Sequence, residues 1–109
     1  MTYYDPAHLP RFGEIREGAP ELADKFFAWY GAVFQEGALT GREKALIALA
    51  VSHALQCPYC IDAYSQDCLQ RGVDLEQMTE AVHVAAAIRG GAALVHGLQM
   101  QDRVQGLAM

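Results

Sequence analysis

Two cysteines separated by a proline and a tyrosine, Cys57-Pro58-Tyr59-Cys60, stand where one apolar segment ends and another begins. If Cys57 caps the second helix, Pro58 takes the first helical position, where its missing N–H costs nothing. Cys60 then lies one turn on, with its backbone N–H directed at the Cys57 sulfur. The helix dipole and the free N–H groups favour thiolates there, and one turn brings both sulfurs within disulfide reach. The motif therefore predicts a redox-active cysteine pair at a helix amino terminus.

Signals for helix starts and ends flank this motif on both sides. Thr40 followed by Glu43 is the pattern of a capping box, and it opens a strongly apolar run from Ala45 to Leu55. The pair Gly90-Gly91 is predicted to separate the last two helices. No segment alternates with the period of a strand, so the sequence predicts an all-α fold. Five helices are predicted, with approximate bounds at residues 20–37, 41–55, 58–70, 74–89 and 92–105.

The first nineteen residues differ from the rest of the chain. Residues 1–19 contain two prolines and two glycines among residues of mixed polarity, which predicts an arm with at most a short helical turn from Arg11 to Glu17. We expect this amino-terminal arm to pack on the body of the protein or on a neighbouring copy. Residues 20–109 are predicted to form a single helical domain.

Composition favours an assembly of several copies. The chain has 109 residues, of which 52% are apolar. A domain of this size buries roughly 60 to 65% of the surface that its unfolded chain exposes. An apolar fraction this high leaves hydrophobic area that a monomer covers poorly, so we expect a homo-oligomer.

Charge and cysteine number exclude several other functions. The net charge is -5 and the basic residues are scattered, which argues against nucleic acid as a partner.

Neither a signal peptide nor a membrane span is expected, because no basic flank precedes an apolar core and no window approaches about 18 uninterrupted apolar residues. The predicted location is the cytoplasm. Three cysteines there point to catalysis, metal binding or burial rather than to a disulfide framework.

A CxxC motif is also compatible with half of a zinc site or with two buried cysteines. The third cysteine, Cys68, lies on the same predicted helix, roughly 16 Å from Cys57 at about 1.5 Å per residue, so it cannot share one metal ion with the pair. A zinc site would need His53 and another group such as His83 as ligands, without metal-like spacing. We therefore expect no metal and no cofactor, and we interpret Cys68 as a small core residue.

Two side chains lie one helical turn from the cysteines. His53 precedes Cys57 and Tyr64 follows Cys60 by four residues each, so both can face the thiols if the helices continue as predicted. His53 could accept a thiol proton, and the Tyr64 hydroxyl could donate to a thiolate or a peroxide oxygen. The alternative is that His53 is a core histidine and Tyr64 ordinary packing.

Three further histidines are less informative. His83 and His96 lie on apolar faces of the last two predicted helices, and either could approach the cysteines in the fold. His8 lies in the amino-terminal arm and indicates nothing by itself.

The stretch from Glu43 to Tyr64, EKALIALAVSHALQCPYCIDAY, resembles the carboxymuconolactone decarboxylase and alkylhydroperoxidase D-like superfamily. The resemblance extends over residues 20–100 or so, and it includes an apolar helix, a CxxC at the start of the next helix and a glycine-containing helical hairpin at Arg89-Gly90-Gly91-Ala92. More narrowly, the YYDP opening, the QCPYC core and the segment HVAAAIRGGAALVHG are similar to small peroxidase-like proteins associated with arsenosugar biosynthesis.

This resemblance implies an all-helical fold, trimers or hexamers, and a peroxidase cycle. In that cycle one cysteine reduces a hydroperoxide and becomes a sulfenic acid, the second condenses with it to a disulfide, and an external thiol reductant restores both. The resemblance implies that Cys60 reacts with peroxide and Cys57 resolves. Electrostatics at the N-cap favour Cys57 as the more reactive thiol, so the identity of the nucleophile stays open.

The sequence departs from the resembled motif at two positions. The motif places a Glu twelve residues before the first cysteine and a His four residues after the second, as a proton relay. Ala45 and Tyr64 occupy these positions here. His53 is then the candidate replacement, because it stands one turn from Cys57.

Three functions compete at this level. The first is a thiol-dependent peroxidase or disulfide oxidoreductase that acts on a small hydroperoxide or disulfide. The second is a carrier whose two thiolates bind trivalent arsenic or a metal. The third, decarboxylase-like lyase chemistry, has the least support because no basic cluster suits a polycarboxylate substrate.

Overall fold

The computed structural model describes residues 4–108, and it contains no strand among them. The elements are a 3-10 helix, Pro6–Glu17, which we call the arm helix, and four α-helices: α1 (Pro20–Val33), α2 (Gly41–Leu55), α3 (Pro58–Gln70) and α4 (Leu75–Ala108). The predicted all-α fold of about five helices is confirmed, although the helices are divided differently. Residues 1–3, which include the first tyrosine of the YYDP pattern, and residue 109 lie outside the described part.

The amino-terminal arm is more helical than predicted. Asp5 caps the arm helix, since its carboxylate accepts a hydrogen bond from the Ala7 N–H at 3.0 Å, and Pro6 takes the first position. The prediction of at most a short turn from Arg11 to Glu17 was therefore wrong. Its physical reason is that Asp followed by Pro is itself a helix-start signal.

The arm helix packs against α1. The Phe12 ring meets the rings of Phe26 and Phe27 edge-on, with centroid distances of 6.4 and 5.0 Å. Arg16 and Asp24 form an ion pair between the two elements at 2.7 Å, which holds the pKa of the Asp24 carboxyl below its ordinary value. The expected packing of the arm on the body is thus confirmed.

The end of α1 lies earlier than predicted. The helix ends at Val33 rather than at Gly37. Lys44, from α2, donates hydrogen bonds to the carbonyls of Val33 at 2.7 Å and Gln35 at 2.5 Å. The ammonium group bonds to carbonyls that would otherwise accept backbone hydrogen bonds in a longer helix. It therefore stabilises the end of α1 at this position and connects α1 to α2.

Caps define α2 at both ends. Thr40 accepts a hydrogen bond from the Glu43 N–H at 3.1 Å, and the Thr40 N–H donates to the Glu43 carboxylate at 2.8 Å, so the predicted capping box is confirmed. The bond from the Thr40 N–H also lowers the pKa of Glu43. At the other end Gln56 is left-handed, with φ of 56°, and the Cys57 N–H donates to the Ser52 carbonyl at 3.1 Å. This tight turn leads directly into α3.

The last helix, α4, is continuous over 34 residues. Its predicted start is confirmed, because Asp74 and Gln77 exchange hydrogen bonds of 2.8 and 3.1 Å. The predicted break at Gly90-Gly91, and with it the helical hairpin, was wrong. Two interior glycines cost about 1 kcal/mol each relative to alanine, and the alanine-rich, proline-free sequence around them sustains the helix.

The core lies between α2, α3 and the start of α4. Its buried side chains are Ala45, Leu49, Cys68 and Val73, and those packed against them are Leu46, Tyr64 and Met78. Cys68 is fully buried, so its predicted role as a small core residue is confirmed. Burial also raises the pKa of its thiol.

The chain on its own is extended. Its radius of gyration is 18.7 Å, whereas a compact domain of this length has a value of about 13 Å. Large apolar side chains on α4 are open to solvent: Leu75 is 77% exposed, Leu94 79% and Leu107 74%. A single copy therefore leaves much of α4 without packing partners.

Among the described residues α4 alone is long and apolar enough to cross a membrane, judged by length and composition. Within the stretch Leu75–Leu107 an 18-residue window has a mean hydropathy of 1.3, and 6% of that window is buried. Such a stretch is weak evidence for a membrane span. The expectation of no span, which rests on uninterrupted apolar runs, stays a prediction.

Candidate active site

Cys57 and Cys60 form a disulfide at the start of α3. Their Cα atoms are 5.3 Å apart, within the usual range for disulfides. Cys57 is the N-cap, Pro58 is the first helical residue, and the Cys60 N–H donates to the Cys57 sulfur at 3.2 Å. Both cysteines are partly buried. The predicted geometry of the pair at a helix amino terminus is confirmed.

The disulfide borders a cavity of about 370 Å³ between the arm helix, α1 and α3, which we call the cysteine cavity. Its other lining residues are His8, Leu9, Phe12, Tyr30, Tyr59, Ala63 and Tyr64. A second cavity, of about 390 Å³ between α1 and α2, shares Tyr30, Cys60 and Tyr64 with it. Cys60 therefore borders both cavities, whereas Cys57 borders the first.

Tyr64 lies where its spacing from Cys60 predicts. It borders both cavities, and its ring stacks on Phe34 at a centroid distance of 5.4 Å and an interplanar angle of 17°. Tyr64 also packs against the core. Tyr64 is therefore a packing residue and also lines the cavity that the two cysteines border.

His53 does not line the cysteine cavity. Its Nδ1 lies 2.8 Å from the Leu49 carbonyl, one turn back in α2. The ring borders a third cavity, of about 330 Å³, together with Leu75 and Met78 of α4. The left-handed Gln56 breaks the helix before Cys57, so a four-residue spacing across this turn does not place two side chains on one face.

His8, which the sequence did not single out, lines the cysteine cavity. Its Nδ1 lies 3.0 Å from the hydroxyl of Tyr59, the residue before Cys60. A sequence signal did exist, because Asp5-Pro6 starts the helix that carries His8 towards α3. What the sequence lacks is any local sign of the contact with Tyr59, which lies 51 residues away.

The remaining candidates lie elsewhere. His83 and His96 are exposed on α4 and do not line the cysteine cavity, and Ala45, at the position of the motif's Glu, is fully buried in the core. Within residues 4–108 no three His, Cys, Asp or Glu side chains are grouped so that they could hold a metal ion.

The profile of the carboxymuconolactone decarboxylase family matches residues 20–102. The chain belongs to this family. The match begins at the start of α1 and covers most of α4, so it includes both cysteines but not the arm helix. His8, which lines the cysteine cavity, lies outside the matched segment.

Relatives of known sequence and structure agree with this assignment. Uncharacterized protein 4 in the cox locus of Paracoccus denitrificans is 40% identical over 104 residues, which are 93% of this chain and 94% of that protein. A crystal structure from Methanobacterium thermoautotrophicum has a TM-score of 0.76 at 37% identity, over 79% of this chain and 97% of that one.

A third relative carries the family name. The apo structure of a carboxymuconolactone decarboxylase family protein from Legionella pneumophila has a TM-score of 0.68 at 30% identity, over 83% of this chain and 85% of that one. The predicted superfamily is confirmed. The narrower similarity to proteins associated with arsenosugar biosynthesis stays a prediction.

Proposed function

We propose that this protein is a thiol-dependent peroxidase or disulfide oxidoreductase that cycles Cys57 and Cys60 between dithiol and disulfide. The observation that carries the proposal is their bond at the N-cap of α3, on the wall of an apolar cavity. A bond between residues of one helical turn closes a very short loop and adds little stability. Reactivity is therefore a better reason for this pair than cross-linking.

The geometry around Cys57 suits an anionic sulfur. After reduction its thiolate would accept the same Cys60 N–H that now points at it, and it would lie at the positive end of the α3 dipole. Such surroundings lower thiol pKa values and raise the thiolate fraction at neutral pH. The Tyr64 hydroxyl, beside Cys60, is proposed to donate a hydrogen bond to a peroxide oxygen. His53, in another cavity, has no part in this mechanism.

The proposed reaction has three steps. A thiolate attacks the hydroperoxide, the O–O bond breaks, an alcohol leaves and the sulfur becomes a sulfenic acid. The second thiol attacks that sulfur, the S–S bond forms and water leaves. An external dithiol then returns two electrons and two protons by thiol–disulfide exchange. The aromatic and aliphatic lining of the cavity favours a small apolar hydroperoxide or disulfide as substrate.

Hydroperoxide consumption with dithiothreitol as donor tests this function. We expect turnover with the wild type and its loss in Cys57→Ser and in Cys60→Ser. The matched control is Cys68→Ala, which removes the buried thiol outside the cavity and should retain turnover. Equal rates in the wild type and both serine variants would end the proposal.

The same variants identify the nucleophile. Treating each single-cysteine variant with one equivalent of hydroperoxide and a sulfenic acid trap, followed by mass spectrometry, shows which sulfur is oxidised. Labelling at Cys60 in Cys57→Ser would follow the order implied by the family. Labelling at Cys57 in Cys60→Ser would follow the N-cap electrostatics.

Two other functions have less support. A carrier for trivalent arsenic or a metal would have two thiolates, while the third thiol, Cys68, lies in the core. Native mass spectrometry separates the two, since a carrier retains a stoichiometric adduct, whereas an oxidoreductase loses the mass of two hydrogens, as two protons and two electrons, on oxidation. A decarboxylase-like lyase would need cationic groups for its substrate, and among the described residues no Lys or Arg lines the cysteine cavity.

We also infer that the protein functions as a homo-oligomer, with α4 packed against other copies. An apolar helix exposed around most of its surface needs either protein or lipid around it. Arg89, near the middle of α4, donates a hydrogen bond to the Ala54 carbonyl. If α4 crossed a bilayer, this charged side chain would lie near the bilayer centre, where a charge is costly. Size-exclusion chromatography with light scattering should give a trimer or hexamer without detergent; a monomer that floats with lipid vesicles would contradict this inference.

A further inference from the structure

The arm helix forms one wall of the cysteine cavity through His8, Leu9 and Phe12. Its contact with α3 is made at the motif itself, because the Tyr59 hydroxyl lies 3.0 Å from Nδ1 of His8. The Tyr59 ring also meets the Tyr4 ring edge-on, with centroids 4.7 Å apart. Two side chains of the arm therefore hold the residue that precedes Cys60.

A second attachment lies one turn further along α3. The Tyr4 hydroxyl donates to the Asp62 carboxylate at 2.5 Å, which raises the pKa of Tyr4 to about 12 and lowers that of Asp62. Asp62 also accepts a hydrogen bond from the Gln66 amide at 2.8 Å. The arm is thus attached to α3 at Tyr4 and at His8, which places the imidazole on the wall of the cavity that the disulfide also borders.

A dithiol–disulfide centre must release and recover two protons in each cycle. An imidazole is the side chain suited to this task near neutral pH. Among the described residues that line the cysteine cavity, His8 supplies the one imidazole. Phenols as a class titrate near pH 10, so an imidazole is the better proton acceptor in this range.

We propose that His8 is the proton acceptor and donor for the Cys57–Cys60 pair, brought to the cavity by the arm helix and oriented by Tyr59. This proposal rests on the proposed redox function. During reduction a dithiol thiolate attacks one sulfur, the S–S bond breaks, and the sulfur that leaves with the electron pair takes a proton from the imidazolium. Attack by the second reductant thiol completes the two-electron transfer.

In the oxidation of the dithiol by hydroperoxide, the proton first moves from a thiol to the imidazole. The imidazole accepts the proton of the attacking thiol, and the thiolate sulfur attacks the hydroperoxide. The O–O bond breaks, the alkoxide receives the proton and leaves as an alcohol, and the sulfur becomes a sulfenic acid. Condensation with the second thiol then releases water and restores the disulfide.

Several ionisable groups lie around His8. Those that face it or its backbone are Cys57, Tyr59, Cys60 and Tyr64 from α3, Tyr30 from α1, and Asp5, whose carbonyl accepts the His8 N–H at 3.0 Å. The Asp5 carboxylate is engaged by the Ala7 N–H. The thiols of Cys57 and Cys60 are the reacting members of this set, so the measurement follows them directly.

The test measures the rate at which iodoacetamide alkylates the two thiols of the reduced full-length protein from pH 5 to 9, with Cys57 and Cys60 quantified by mass spectrometry. The variants are His8→Asn and His8→Ala, and the matched control is His96→Asn, an exposed histidine on α4 bonded to Gln99 of the same helix. We expect an inflection between pH 5 and 8 in the wild type and the control. In His8→Asn that inflection should move to higher pH, because the thiols lose their proton acceptor, and the rate near pH 6.5 should fall about 10-fold or more.

Rescue separates proton transfer from a structural role. Imidazole added to the buffer should restore hydroperoxide turnover in His8→Ala, because the truncated side chain leaves space for it. A wild-type pH profile in His8→Asn, or a slow His8→Ala that imidazole does not rescue, would overturn the proposal while leaving the redox function intact. A His8-dependent alkylation profile in a protein that consumes no hydroperoxide would instead support His8 and contradict the peroxidase.

Discussion

Reduction of the Cys57–Cys60 disulfide should leave the fold intact and lower the free energy of unfolding by no more than about 2 kcal/mol. The bond joins residues three apart, so the closed loop contains four residues. The loop-closure relation then gives an entropy of about 6 cal/mol/K, or about 1.9 kcal/mol at 25 °C. This value is an upper bound, because the relation describes longer, flexible loops better than a turn of helix.

The reduced state recovers part of that difference. A thiolate at the N-cap interacts with the α3 dipole and with the Cys60 N–H, which is worth about 0.3 to 1 kcal/mol at such a position. The core does not depend on the bond, since its buried residues Ala45, Leu49, Cys68 and Val73 pack among themselves. We therefore expect a net loss of no more than about 0.9 to 1.6 kcal/mol on reduction.

Urea unfolding followed by far-ultraviolet circular dichroism measures this difference. The oxidised protein and the protein reduced with a phosphine are compared at one fixed protein concentration, because association shifts apparent stability. With a slope of roughly 1 to 3 kcal/mol per molar urea, the midpoint should fall by about 1 M. The double variant Cys57→Ser/Cys60→Ser is the control, and the phosphine should not shift its midpoint.

The change in unfolding free energy on reduction discriminates between a redox-active disulfide and a structural one. A loss of helical signal on reduction, or a shift above about 4 kcal/mol, would identify the bond as a structural cross-link of the kind that supports small secreted domains. Each catalytic cycle would then unfold the protein, and the reasoning that assigns a redox role to this pair would fail.

Three further predictions follow from single side chains. Thr40→Ala removes the capping box of α2 and should cost about 1 kcal/mol in urea unfolding; an unchanged midpoint would mean that the box does not contribute. Gln56→Gly should stabilise the protein by up to about 1 kcal/mol, because glycine adopts the left-handed conformation without strain, and a loss would show that the Gln56 side chain matters more than its backbone. Asp62 has a lowered pKa in the folded state, so its contribution is present above the unfolded carboxyl pKa of about 3.9 and is lost as the pH falls through the folded value. Protection of the arm-helix amides, measured against the intrinsic exchange rate at each pH, should therefore fall in acid, and Asp62→Asn should remove that acid dependence.

Helix starts were predictable because their signals are local. The pairs Thr40 with Glu43 and Asp74 with Gln77 form hydrogen bonds across three residues, and Cys57 with Cys60 repeats that geometry with sulfur as the acceptor. These contacts need no information from the rest of the fold. The sequence therefore predicts the place of the cysteine pair at the start of α3 correctly.

The surroundings of the pair were less predictable because they depend on distant contacts. His8 reaches the cavity through Tyr59, far along the chain, and nothing near either residue indicates their contact. His53 fails as a neighbour of Cys57 because one left-handed residue, Gln56, rotates the chain between them. A helix break at Gly90-Gly91 would have needed a partner surface to fold the last segment back, and in one chain α4 has little to pack against.

The two-residue connection between α2 and α3, Gln56 and Cys57, bears on the order in which the chain folds. Helices adjacent in sequence meet with little loss of chain entropy, and such local contacts form within microseconds to milliseconds. The arm helix must instead close a loop of about fifty residues before Tyr59 and His8 meet. A newly made chain therefore holds Cys57 and Cys60 for a time without the arm helix beside them, and during this interval their thiols are most open to over-oxidation.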